Sequence, residues 1–139
     1  MNRDIAQDLA GIVDAPDFRG ESGELVERWV EEGIGVEAVE PILQFMEAHA
    51  NVDFGAPGPL VHFVERFYRH GYEECLQRSL RRRPTPATVW MLNRVLNGTR
   101  SEPTRHELIE VLGSVLAHPR ADQASIDLAR RFLERSRTS

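Results

Sequence analysis

Apolar residues recur at helical spacing along nearly the whole chain. Ile5, Leu9, Ile12 and Val13 give one apolar face to a short first helix over residues 3–13. The stretch from Asp14 to Gly23, DAPDFRGESG, is rich in turn formers and reads as a connection. Leu25, Val26, Trp29 and Val30 make a second helix, ended by Gly33 and Gly35. Val36, Val39, Ile42, Leu43 and Met46 predict a third. Pro41 lies inside that pattern, so this helix either kinks or begins near Glu40. A fourth helix starts at Pro59, where a missing N–H costs nothing, and runs on Leu60, Phe63, Val64 and Phe67 to a stop at Gly71.

Tyr72 to Arg83 is the fifth helix, with Leu76 and Leu80 inward. Thr85-Pro86 is a cap followed by proline and opens the sixth, which Val89, Trp90, Leu92, Val95 and Leu96 line and Asn97-Gly98 stops. Thr104 and Glu107 have capping-box spacing and open a seventh helix on Leu108, Ile109, Leu112, Val115 and Leu116. Pro119 closes it. Asp122 caps an eighth with Ile126, Ala129, Phe132 and Leu133 inward, and the tail ERSRTS is expected to fray. No stretch alternates apolar and polar residues over strand length. The expected fold is all-α: seven or eight short helices stacked as antiparallel hairpins, in a bundle or short α-solenoid, forming a single domain over residues 1–139.

Composition narrows function more than fold. Hydrophobic residues are 41% and charged residues 28% of the 139, the balance of an ordinary globular chain. No apolar run approaches the ~20 residues that span a bilayer. Asp4 and Asp8 fall where a signal peptide would need an unbroken apolar stretch, so a cytoplasmic protein is expected. Cys75 is the single cysteine, which excludes an internal disulfide. Beside Glu73 and Glu74 it reads as a small hydrophobe and not as a reactive thiol. All 17 basic residues are arginine.

Those charges are unevenly spread. Residues 1–54 hold thirteen Asp and Glu against three Arg, a balance of −10; residues 55–139 hold nine against fourteen, a balance of +5. Glu21, Glu24, Glu27, Glu31 and Glu32, then Glu37, Glu40, Glu47 and Asp53, run through the second and third helices. Glu24, Glu27 and Glu31 stand at i, i+3 and i+7, on one helix side, where like charges weaken the helix that carries them. A solvated face is the ordinary fate of such a run; a docking surface for a basic protein is the functional alternative. The expected contact set is Glu24, Glu27, Glu31, Glu32, Glu40, Glu47 and Asp53, with Trp29 as a partly exposed apolar anchor. Trp90 is assigned to the core.

Chemistry is sparse. His62 and Glu65 are three apart on one helix, with His70, Glu73 and Glu74 nearby, but no HExxH or paired ExxH motif is present, and no metal is expected. Ser79, Ser114 and Ser125 lack the glycines of a nucleophile elbow. Gly55 and Gly58 form no phosphate loop, and no lysine exists to serve one. No catalytic residue and no cofactor is therefore expected. Arg81-Arg82-Arg83 ends a helix, where cations meet the dipole favourably, and an acidic chain lacks the broad basic face of a direct nucleic-acid binder.

A longer pattern lies between Asp53 and Thr99. It comprises Phe54-Gly55, the run Pro57 to His62, Glu65, Phe67-Tyr68, Gly71-Tyr72-Glu73, Pro84-Thr85, Thr88, the run Trp90 to Arg94, and Asn97-Gly98. In these residues the chain resembles small helical immunity proteins of bacterial contact-dependent inhibition and related polymorphic-toxin systems. The resemblance covers about a third of the chain. It implies a cytoplasmic, non-enzymatic protein that binds one cognate toxin domain, often a nuclease with a basic substrate groove, and blocks it. The shared residues would then be scaffold, with specificity on other helices. Two further readings fit the same composition: an α-solenoid adaptor for an endogenous partner, and a small metal-dependent enzyme built on His62, Glu65 and Glu73.

Overall fold

The computed structural model describes residues 4–55 and 57–138, and among them every regular element is helical. The α-helices are α1 (Ile5–Ala10), α2 (Phe18–Glu31), α3 (Val39–Ala48), α4 (Pro59–Glu65), α5 (Tyr72–Arg82), α6 (Pro86–Asn97), α7 (Glu102–Ser114) and α8 (Gln123–Thr138). Short 3-10 turns at Val36–Ala38 and Val115–Ala117 adjoin α3 and α7. The all-α expectation holds. The chain divides into two compact units, Met1–Tyr72 and Glu73–Ser139.

In the first unit α1 packs on α3 and α2 on α4. Leu9, Leu25, Trp29, Ile42, Leu43, Met46, Leu60, Phe63 and Val64 are all within 2% of complete burial. The sequence places the start of α2 too late. Asp17 caps it, its Oδ1 accepting from the Gly20 N–H at 3.1 Å, so Phe18 to Gly23 is helix and not connection. Phe18 explains why a glycine-containing stretch still winds up. Its ring stacks on Phe45 of α3 at 6.1 Å and meets the edge of Phe54 at 5.9 Å, while Phe45 and Phe54 lie 6.0 Å apart. The half-buried Phe18 ring packs on two buried ones, and that gain outweighs the helix penalty of Gly20 and Gly23.

α3 begins at Val39, which leaves Pro41 in its first turn and removes any need for a kink. α4 stops at Glu65, earlier than Gly71; successive turns carry the chain onward, with Arg69 at φ 69° and Gly71 at φ 110°. Before α4 the chain folds tightly back on itself. Gly58 approaches the Phe54 carbonyl so closely that a Cβ there would overlap its oxygen and sit 2.8 Å from its carbon.

In the second unit α6, α7 and α8 pack against one another pairwise, around Val89, Met91, Leu92, Leu96, Leu108, Leu112, Val115 and Ala129. Thr85 and Thr88 form a reciprocal capping box: Thr88 N–H donates to Thr85 Oγ1 at 3.2 Å and Thr85 N–H to Thr88 Oγ1 at 3.0 Å. Gly98 closes α6 as the sequence predicts. α7 starts at Glu102 behind Ser101, so the expected box at Thr104 and Glu107 is not its opening; Thr104 Oγ1 instead lies 3.3 Å from Ser101 Oγ. Asp122 does cap α8, accepting from Ser125 N–H at 2.8 Å, and the helix continues to Thr138 through the tail expected to fray.

At the end of α5 the Arg81 and Arg82 carbonyls take donors from the α7–α8 connection. His118 Nδ1 accepts from Arg120 N–H at 3.0 Å, which leaves Nε2–H to donate to Arg81 O at 2.7 Å; Arg120 Nη1 reaches Arg82 O at 3.4 Å.

Candidate protein-binding face

At ~100° per residue, Glu24, Glu27 and Glu31 fall within roughly 60° of arc on α2. Ser22, Leu25 and Trp29 hold the opposite, buried side. All three glutamates are exposed, and none makes an ion pair or hydrogen bond with another described residue. Arg28, the cation of the last turn, is exposed on the same helix and likewise pairs with none of them. Three carboxylates thus share one helix side with no cation bound to them, an arrangement that is unfavourable within the helix and favourable toward an incoming cation.

Val30 and Val36 are 43% and 41% exposed; among the described residues only Leu116, at 37%, is another large apolar side chain so exposed. Glu31 and Glu32 follow Val30, and Glu37 follows Val36, so the exposed valines are bordered by acids along the chain. Glu37 turns back to accept the Gly35 N–H at 3.0 Å. That bond, with a second from its own N–H, holds its carboxyl below the ordinary glutamate range. A lowered folded value favours the fold while the group is ionised. The contribution is present above the unfolded value and disappears as pH falls through the folded one. Glu37→Gln should therefore lower the urea midpoint slightly at neutral pH, and the gap from the parent chain should close on acidification. A gap independent of pH would contradict this assignment.

Of the remaining expected contacts, Glu40, Glu47 and Asp53 lie outside α2. Glu32 is exposed at its C-terminal cap. Glu40 and Glu47 lie on α3 and are half-buried, with Gln44 Nε2 3.4 Å from Glu40 Oε1. Asp53 is exposed but acts locally, since its Oδ1 accepts the Gly55 N–H at 2.8 Å and shapes the turn before α4.

Trp29 is a correction. It is fully buried, its indole Nε1–H donates to Asp8 Oδ2 at 2.9 Å, and its ring meets Phe63 edge-on at 5.5 Å. It anchors α1 and α4 to α2 and offers no surface to a partner. Trp90 reverses in the opposite sense. It is half-buried, with the Arg94 guanidinium over its ring at 5.1 Å, while Val89, Leu92 and Leu96 fill the core as expected. The i,i+4 spacing of Trp90 and Arg94 was the signal for that pair.

His62 Nδ1 and Glu65 Oε1 are 3.9 Å apart on an exposed side of α4. Among the described residues no three His, Cys, Asp or Glu side chains converge as a metal site would require. Cys75 accepts an N–H from Arg78 at 3.2 Å on the surface of α5. No described helix is long and apolar enough to cross a membrane. Compared with family models, curated proteins and solved structures, the chain matches none.

Proposed function

We propose that the chain is a non-catalytic binding protein that holds a basic protein domain against the outward side of α2, and that this partner is a cognate toxin domain which it neutralises. The observation that carries the reading is the exposed trio Glu24, Glu27 and Glu31, to which no cation among the described residues is bound. Arg28, i+4 from Glu24, is exposed and forms no ion pair with the trio in the structure, which leaves the three carboxylates open to an incoming cation. Val30, exposed on α2 and i+3 from Glu27, adds apolar area beside the acidic side, the mixture by which charge steers encounter and desolvated side chains hold the complex. The resemblance to immunity proteins supplies the class of partner.

An immunity gene follows directly behind the gene of its toxin, so the partner to test is the C-terminal domain encoded immediately upstream. Expressed alone in the cytoplasm, that domain should arrest growth; co-expressed with this chain, it should not, and the two should co-purify in a 1:1 ratio. Arrest that persists despite soluble, abundant chain would remove the toxin reading.

A further inference from the structure

Within the second unit the C-terminal turns of α6 and α8 meet the first turn of α7 around a cleft of about 210 Å³. Its walls are Asn93 and Asn97 of α6, Arg105 of α7, and Arg135 and Ser136 of α8; Leu96 and Phe132, 2% and 7% exposed, form its apolar floor. We propose that this cleft binds a small organic monocarboxylate, with the anion on Arg105 and the Asn93–Asn97 amides and the apolar body on Phe132 and Leu96.

Arg105 is the centre of the argument. Its Nη1 donates to Leu96 O at 2.9 Å and Thr99 O at 3.2 Å, carbonyls at the C-terminal end of α6. Those two bonds account for one nitrogen of the guanidinium and fix its plane. Arg105 makes no further hydrogen bond or ion pair with a described residue, so Nε–H and the Nη2–H beside it stand uncommitted. Side by side, these two donors are the fork that matches both oxygens of a carboxylate. The negative end of the α6 dipole would repel an anion here, but Nη1 already lies on its carbonyls and offsets that charge.

The rest of the lining agrees in sign and polarity. Asn93 and Asn97 are one helical turn apart, and neither side chain has a partner among the described residues. Arg135 adds a second cation, and no Asp or Glu lines the cleft. Capping of α6 accounts for Nη1 of Arg105 alone. It does not account for two unpaired amides facing the same space over an apolar floor. A cleft of about 210 Å³ takes a small molecule and not a peptide chain. The acidic α2 face belongs to the other unit, so this site stands independently of the proposed partner.

The test is a titration of the full ¹⁵N-labelled chain with sodium benzoate, followed by NMR, with neutral benzamide and inorganic phosphate as comparison probes. Benzoate should shift the side-chain amide signals of Asn93 and Asn97 saturably, with benzamide and phosphate each binding at least tenfold more weakly. Asn97→Ala, at an exposed position with no side-chain partner among the described residues, should weaken benzoate about tenfold while the chain stays folded. Arg105→Lys keeps the charge and removes the fork; it should lose benzoate binding while the folded spectrum remains. No saturable shift up to tens of millimolar benzoate would overturn the proposal. Equal binding of benzamide, equal binding of phosphate, or unchanged affinity in Asn97→Ala would also overturn it.

Discussion

Gly58→Ala should destabilise the first unit by ~3 kcal/mol or more, an effect out of proportion to one methyl group. The added Cβ would overlap Phe54 O and lie 2.8 Å from Phe54 C, and both are backbone atoms with no rotamer by which to move away. Gly58 has φ −100°, so the conformation itself suits any residue; the requirement is space alone. Relief demands that the turn open. Opening it displaces Phe54, which is 6% exposed and packs between Phe18 and Phe45, and it shifts Pro59 and Leu60 at the start of α4. The control is Gly113→Ala in α7, where a new Cβ has nothing within 4 Å. That variant should gain ~0.5–1 kcal/mol from better helix propensity. Urea unfolding of both compares the two contexts of one chemical change. Similar midpoints would show that the close approach at Gly58 does not exist in solution.

Trp29→Ala is expected to cost ~3–5 kcal/mol, the range for emptying a fully buried aromatic site. The side chain fills the space between α2 and α4, presses its ring on Phe63 and donates to Asp8 across the start of the chain. Trp29→Phe keeps most of the volume and deletes the indole N–H; ~1–2 kcal/mol is expected, with the remainder of the alanine effect assigned to the cavity. The pair of variants also separates scaffold from contact. At a temperature where Trp29→Phe is still folded, its association with the partner should match the parent chain, because the residue has no exposed surface. A slower association with an unchanged circular dichroism spectrum would restore Trp29 to the binding face.

These two residues show what was legible in the sequence. Pro59, Thr85-Pro86 and Asn97-Gly98 fix helix ends by local backbone chemistry, and the ends lie where those residues predict. The start of α2 was hidden because Gly20 and Gly23 are punctuation in isolation. Its cause is tertiary, the ring cluster of Phe18 with Phe45 and Phe54, which lie well beyond the reach of a local pattern at Phe18. The close approach at Gly58 was equally invisible, since a glycine in a proline-rich turn is ordinary until the neighbouring carbonyl is located. The acidic side of α2 could be read directly, because i, i+3 and i+7 need only helical geometry. Trp29 could have been placed from its i+4 spacing to Leu25, which puts it on the buried side. The Arg105 cleft could not: Asn93, Arg105 and Arg135 come from three helices and share no local pattern.

The proposed contact is centred on Glu24, Glu27 and Glu31, which share one exposed side of a single helix. Exposed carboxylates act on encounter more than on the lifetime of a complex, and their influence fades as salt shortens the Debye length toward ~8 Å at physiological ionic strength.

The most direct measurement is stopped-flow association of the upstream-encoded domain with the parent chain and with a Glu24→Arg, Glu27→Arg, Glu31→Arg variant, across a range of salt concentrations. All three positions are solvent-exposed, so the variant should keep its helical spectrum and thermal midpoint. The parent association rate should fall steeply with added salt. The variant should be slower by about tenfold or more at low salt and lose most of that salt dependence. Association rates that coincide for the two chains at low salt would contradict a partner docked on the acidic side of α2.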